Sequence, residues 1–208
     1  KDWGPVRYRF GQQKPATAPG IMNDFVIVQN NIQLAQDPLS VTAISQLDAS
    51  ISHRITPFEN ASVLPGSLQF SLPTIDAENN RVYSYDFLEN ALVALDFDPQ
   101  DGFTIAWSVE QRSLSFGAIL GPKDKRVFVL EDSDSSLPIN ANVIWRDANK
   151  GAELARSELL PTGPGLPITP GFDGTMYYLS SLQGRLTELS LVPKDIKNLA
   201  GANMSLNH

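Results

Sequence analysis

The chain has 208 residues, 42% of them hydrophobic and 19% charged, which suffices for one sizeable core or a short array of repeated units and excludes a disordered chain. Its formal net charge is −7, and its nearest approach to a basic cluster, Lys194 and Lys197, is split by Asp195, so no nucleic-acid partner is expected: such binding runs on Lys and Arg displacing counterions from phosphates. No apolar run approaches the roughly 18 residues of a membrane span, and the absence of cysteine removes disulfides, thiolate metal sites and thiol nucleophiles together.

Taken in chain order, the first ten residues hold one strand pattern, Val6-Arg7-Tyr8-Arg9-Phe10, which reads as a strand able to close a repeat array. A repeat then begins. The turn Met22-Asn23-Asp24 leads into the apolar strand Phe25-Val26-Ile27-Val28, followed by Ser40-Val41-Thr42-Ala43-Ile44 and His53-Arg54-Ile55-Thr56. The same plan recurs at Ala77-Glu78-Asn79-Asn80 and Arg81-Val82-Tyr83-Ser84-Tyr85, followed by Ala91 to Leu95 and Phe103 to Trp107. It recurs again at Pro122-Lys123-Asp124-Lys125 and Arg126 to Leu130, followed by Asn142 to Trp145 and Ala152 to Arg156. The last copy has Phe172-Asp173-Gly174, Thr175 to Leu179 and Arg185 to Leu191, with no fourth strand visible after Leu191. Turn residues that tolerate positive φ, followed by β-branched and aromatic residues, make each copy a hairpin prediction.

Val26, Val82, Val127 and Met176 are 56, 45 and 49 residues apart, a spacing suited to β-propeller blades. The expected fold is therefore all-β, a single propeller region over 1–208 of about four four-stranded antiparallel blades near 11–62, 63–113, 114–161 and 162–208. Fifteen prolines and fourteen glycines spread along the chain disfavour a helical fold. Leu39 to Leu47 and Ala148 to Leu159 are the two stretches whose spacing also permits a short helix.

At Ala91-Leu92-Val93-Ala94-Leu95-Asp96, then Asp101-Gly102, then Ala106-Trp107, the chain resembles the repeat of the pyrroloquinoline-quinone-like propellers. Asp173-Gly174-Thr175-Met176-Tyr177-Tyr178 and Gly184-Arg185-Leu186-Thr187 match the inner hairpin of the same repeat. The resemblance implies the fold and leaves the task open, since such propellers serve as dehydrogenases, assembly scaffolds and lectins. Several quinone enzymes of this type hold their cofactor against a vicinal disulfide, which this chain cannot form, so pyrroloquinoline quinone is not expected.

Propellers of this kind often have seven or eight blades, which leaves two readings. In the first, the chain is part of a larger propeller whose open ends are covered by further blades or another chain, and Pro193 to His208 is a connection onward. In the second, it is a closed four-bladed ring in which Val6 to Phe10 completes the last blade and removes the free edges. A first residue that is Lys1 fits a processed chain or a fragment, and a periplasmic or extracellular location is expected.

Two histidines, His53 and His208, exclude a multi-histidine metal centre, and His53 reads as an exposed strand residue. The residues best suited to a hard cation are Asp96, Asp98 and Asp101, three carboxylates within a six-residue turn followed by Gly102, where calcium would be the ion; Pro99 and the absence of a later Glu depart from calcium loops, and a solvated hairpin turn is the preferred reading. Glu131, Asp132 and Asp134 form a second acidic group, read as a surface connection. Asp24, Asp76 and Asp173 precede successive hairpins and are expected to serve turn amides. Trp3, Trp107, Trp145, Tyr177 and Tyr178 are expected to pack between blades rather than to line a sugar pocket. With no Gly-x-Ser-x-Gly and no Gly-Lys-Ser/Thr, the sequence points to a non-catalytic binding or scaffolding propeller that holds a partner protein. The alternative is a propeller enzyme, of oxidoreductase or hydrolase type, whose central funnel is partly built by blades outside this chain.

Overall fold

A computed structural model describes residues 19–29, 39–58, 72–86, 89–113, 115–133, 140–163, 167–172, 174–180, 183–191 and 204–207. Among them the only helical element is a 3₁₀ turn at Lys123–Lys125, and the strands form four antiparallel sheets of the propeller-blade plan. The chain divides into two compact units, Lys1–Ala106 and Trp107–His208.

The first unit opens with β1 (Gly20–Met22), β2 (Phe25–Gln29), β3 (Val41–Ser45) and β4 (Ser52–Ile55), hydrogen-bonded in chain order. Its second sheet is β5 (Thr74–Asp76), β6 (Arg81–Asp86), β7 (Ala91–Asp98) and β8 (Gly102–Glu110), again in chain order, with β8 running across the division. Alternate residues of the two sheets interdigitate: Met22, Phe25, Ile27, Val41 and Ala43 share one core with Val82, Val93, Leu95 and Phe97. Asn23, Asn80 and Asn90 take φ near +50°, the left-handed conformation that Asn adopts more cheaply than other side chains, and so reverse the chain between strands.

In the second unit β9 (Ala118–Leu120), β10 (Val127–Ser133), β11 (Asn140–Asp147) and β12 (Glu153–Arg156) form the third sheet, with the short β13 (Leu160–Pro161) also pairing to β11. β14 (Thr169–Pro170), β15 (Met176–Ser180), β16 (Arg185–Leu191) and β17 (Met204–Asn207) form the fourth. Val129, Val143, Trp145, Ala155, Met176, Tyr178 and Leu189 make the core of this unit.

Three expectations need correction. Leu39 to Leu47 and Ala148 to Leu159 are not helices. Every residue of β3 is buried, so it lacks the alternation that separates a strand from a buried helical turn. After β11 the Asp147 carboxylate accepts the amides of Asn149 (2.8 Å) and Lys150 (3.1 Å), and Gly151 at φ +71° turns the chain into β12. The fourth strand of the last sheet is not missing either. β17 pairs with β16 from Glu188↔Asn207 to Leu191↔Met204, so part of the stretch after Pro193 is sheet rather than connection. Val6 to Phe10 lies outside the described residues.

Candidate functional site

At one end of the first unit, the hairpin turns are tied to each other. The Gln46 amide donates to the Asp24 carbonyl at 2.7 Å, and its side-chain Nε2 donates to the Asn23 carbonyl at 3.2 Å. Asn23 Nδ2 in turn donates to Asn80 Oδ1 at 2.7 Å, joining the first sheet's turn to the second's. The turn after β3 is held from within: Ser45 Oγ accepts the amides of Leu47 and Asp48, and Asp48 accepts the Ser50 amide and hydroxyl. On this braced base Leu47 is 66% exposed and Ile51 45%. Both are branched apolar side chains held in water on a turn braced by its own hydrogen bonds.

The acidic turn lies in the same unit, and its carboxylates are committed separately. Asp96 accepts from Arg81 Nε at 2.7 Å. Asp98 accepts the amides of Gln100 (2.7 Å) and Asp101 (3.0 Å), and these two bonds hold its carboxyl below the ordinary value. Asp101 stays exposed at the turn. Among the described residues no three His, Asp or Glu side chains are grouped to hold a metal ion. His53 is not the exposed residue its sequence suggests. Its ring lies half-buried against Phe97 (5.8 Å between centroids) and close over Gly102, where a Cβ would come within 3.0 Å of Nδ1. Its Nε2 lies 3.0 Å from the Pro99 carbonyl, which can only accept, so Nε2 carries the proton.

The second unit holds a polar cluster that the sequence conceals. Glu131 sits in β10, not in a surface loop, and is fully buried. Its Oε2 accepts from Tyr178 Oη at 2.6 Å and its Oε1 from Ser133 Oγ at 2.8 Å; the Gly163 amide donates to Tyr178 Oη at 2.9 Å and reaches Oε2 at 3.4 Å. Asp132 is also in β10 and accepts from Arg156, whereas Asp134 lies outside the described residues. Beside them, Arg146 donates from Nε to Gln111 Oε1 at 2.6 Å and from NH1 to the Gly151 carbonyl at 2.9 Å. Burial draws this guanidinium below its ordinary value, with Glu153 and Asp132 acting the other way. Trp107 and Trp145 are buried as expected, and Trp107 Nε1 donates to the Ala148 carbonyl at 2.9 Å. Trp3 and Asp173 lie outside the described residues.

No family model matches the chain, and no curated protein sequence matches it. Among solved structures, BamB from Moraxella catarrhalis matches with a TM-score of 0.51 at 12% identity, over 84% of this chain and 53% of that one. A protein of Bacteroides fragilis NCTC 9343 described as exported matches with a TM-score of 0.46 at 10% identity, over 96% of this chain and 52% of that one. The fold is that of a β-propeller. The chain spans about half the length of both solved structures, and the pyrroloquinoline-quinone-like repeat stays a resemblance of residues.

Two phenols report on the framework through pH. Burial pushes Tyr83 up to about 12, partly opposed by Arg81, and burial followed by the Glu131 carboxylate pushes Tyr178 up as well. A phenol raised above its unfolded value of 10.0 stabilises the fold fully below that pH, and the contribution is lost as pH rises toward the folded value, because only the unfolded chain can release the proton. Urea midpoints are thus expected to fall steadily above about pH 10, and Tyr83→Phe or Tyr178→Phe should flatten that decline.

Proposed function

We propose that this chain is a non-catalytic binding scaffold of propeller fold that holds a partner protein, and that it works outside the cytoplasm, in the periplasm or the extracellular space. The observation that carries the reading is the pair Leu47 and Ile51, 66% and 45% exposed on a turn end whose polar groups are already bonded to one another. Exposed apolar side chains on a preorganised base lose little conformational freedom on association, which is how a few residues come to dominate an interface. The side chains with chemical reach are spent on the framework instead: His53 on Pro99, Asp96 on Arg81 and Glu131 on Tyr178.

The test is native mass spectrometry of the protein isolated from its source, with and without Leu47→Lys and Ile51→Lys together. The expected result is a stoichiometric second polypeptide that dissociates at least about tenfold more readily from the double variant, with the thermal midpoint unchanged because both side chains face water. A complex that survives both substitutions, or a protein with no partner in its source, defeats the reading. Fractionation of the source cells tests the location.

A further inference from the structure

One end of the second unit gathers cations around an exposed aromatic ring. β9 and β14 run side by side in the same direction, bridged at Phe116↔Pro167 with the Ile168 amide donating to the Phe116 carbonyl at 3.1 Å, so the turns that follow them, 121–126 and 171–175, emerge together. The turn between β11 and β12 joins them, because the Ala148 amide donates to the Arg126 carbonyl at 3.1 Å. On these turns stand Lys123, Lys125 and Lys150, all exposed, and they are the only lysines among the described residues. Phe172, on the same end, is 93% exposed, the most exposed large apolar side chain among those residues. Its turn is braced: the Thr175 amide and hydroxyl donate to the Phe172 carbonyl at 3.0 and 2.7 Å, and the Gly171 amide donates to the Thr175 carbonyl at 2.8 Å. Of the acids on these turns, Asp147 is committed to the amides of Asn149 and Lys150, Asp124 stands exposed between two of the lysines, and Asp173 lies outside the described residues.

We propose that this end is a docking surface for an anionic phospholipid bilayer, with Phe172 entering the acyl boundary and Lys123, Lys125 and Lys150 lying against the headgroup phosphates. The residue types select this occupant. Lysine is depleted in protein–protein interfaces, whose apolar anchors sit in a packed, desolvated centre. Here a single phenyl ring stands on a turn at an end that carries ammonium groups, which is the combination that holds a surface to the membrane interface. The chain's charge agrees. Its formal −7 is unevenly divided: the first unit has 6 Lys and Arg against 12 Asp and Glu, the second 10 against 11. The unit that carries Phe172 is thus the one that anionic lipid repels least. A braced turn also loses little conformational freedom on insertion, and one ring with three lysines makes the association peripheral and reversible.

Sedimentation with sucrose-loaded vesicles tests it, using the full chain at low and high salt. The chain is expected to bind phosphatidylcholine vesicles that contain phosphatidylglycerol and not those of phosphatidylcholine alone, and to be released as salt is raised, because exposed charges are then screened. Each of Lys123→Gln, Lys125→Gln and Lys150→Gln should weaken the partition about fivefold, and Phe172→Ser by at least about tenfold, with thermal midpoints unchanged because all four side chains face water. In Phe172→Trp, brominated acyl chains should quench the fluorescence that the substitution adds. No binding to the mixed vesicles at low salt overturns the proposal, as does equal binding to both vesicle types, or binding that the four substitutions leave unchanged. Binding that needs the lysines but not Phe172, without quenching in Phe172→Trp, overturns it in favour of diffuse attraction to the headgroups. The inference does not rest on the partner-binding reading, which concerns Leu47 and Ile51 in the other unit, and the vesicle assay contains no partner protein, so either can fail alone.

Discussion

Replacing Glu131 with Ala is expected to lower the stability of the second unit by about 3–5 kcal/mol in urea denaturation, because removing one member of a fully buried polar cluster strands the others. Tyr178 Oη, Ser133 Oγ and the Gly163 amide all lie within bonding reach of this one carboxylate, at 2.6, 2.8 and 3.4 Å. None of them has water to turn to. Ser133 is 8% exposed and Tyr178 2%. Tyr178→Phe removes one donor to the carboxylate and the nearer acceptor of the Gly163 amide, which keeps Glu131 Oε2 at 3.4 Å, so a smaller loss of about 1–3 kcal/mol is expected. The decisive measurement is the double variant. If the two residues act as a unit, Glu131→Ala on the Tyr178→Phe background should cost less than on the wild type, with a coupling of about 0.5–3 kcal/mol. Additive losses would mean that the short Tyr178–Glu131 contact contributes nothing beyond the packing of each side chain.

The location of the cluster gives it a second consequence. Glu131 belongs to β10 and Tyr178 to β15, in different sheets of the same unit, and Gly163 lies in the connection between them. A Cβ at Gly163 would come within 2.1 Å of the Leu179 carbonyl oxygen, so only glycine lets that connection pass at bonding distance from Tyr178. Ser180 Oγ donates to the Thr162 carbonyl at 3.1 Å and fixes the same crossing from the other side. The Gly/Pro-rich join is therefore held by side chains of the two sheets that it connects, and loosening Glu131 should raise amide exchange in 160–163 before it does so in β11.

How far the sequence reached depended on whether a residue's role was local. The strands of the four hairpins were legible in Phe25 to Val28, Arg81 to Tyr85, Arg126 to Leu130 and Thr175 to Leu179, because turn chemistry and β-branched runs act over a few residues. β17 was not legible: Met204-Ser205-Leu206-Asn207 holds only two apolar residues, too few for a strand pattern of its own, and it is a strand by virtue of pairing to β16. Glu131 to Ser133 has the composition of a surface loop, and it becomes the end of a strand only because β11 pairs along it as far as Ser133↔Ala141. The same holds for sites. In the sequence Asp98 reads as a candidate cation ligand, and its two bonds to the nearby amides of Gln100 and Asp101 are local, whereas the bond that engages the buried Glu131 comes from Tyr178, 47 residues away. Leu47 and Ile51 gave no signal at all, since isolated apolar residues beside a polar turn are common and only their exposure on a braced base sets these two apart.

Trp145→Ala is expected to cost about 3–5 kcal/mol, the usual penalty for emptying the site of a large aromatic side chain in a core. Trp145 is fully buried, its register partners are Val129 on one side and Ala155 on the other, and it packs in one cluster with Met176, Tyr178 and Leu189. The informative substitution, however, is Trp145→Phe. Its indole N–H is buried and has no hydrogen-bond partner among the described residues, and a buried unmet donor costs about 1–3 kcal/mol by itself. Phe keeps much of the apolar area and removes that donor, so the two changes oppose each other and the loss should be well under half that of Trp145→Ala. Trp107 supplies the control. It is more exposed, at 9% against 0%, yet its N–H donates to the Ala148 carbonyl at 2.9 Å. Trp107→Phe loses a bond where Trp145→Phe relieves an unmet donor, so burial alone predicts one order of the two urea midpoints and hydrogen bonding predicts the other. We expect the order set by hydrogen bonding, with Trp107→Phe the more damaging. The reverse order would mean that Trp145 Nε1 meets a partner in solution, for which a buried water is the physical candidate.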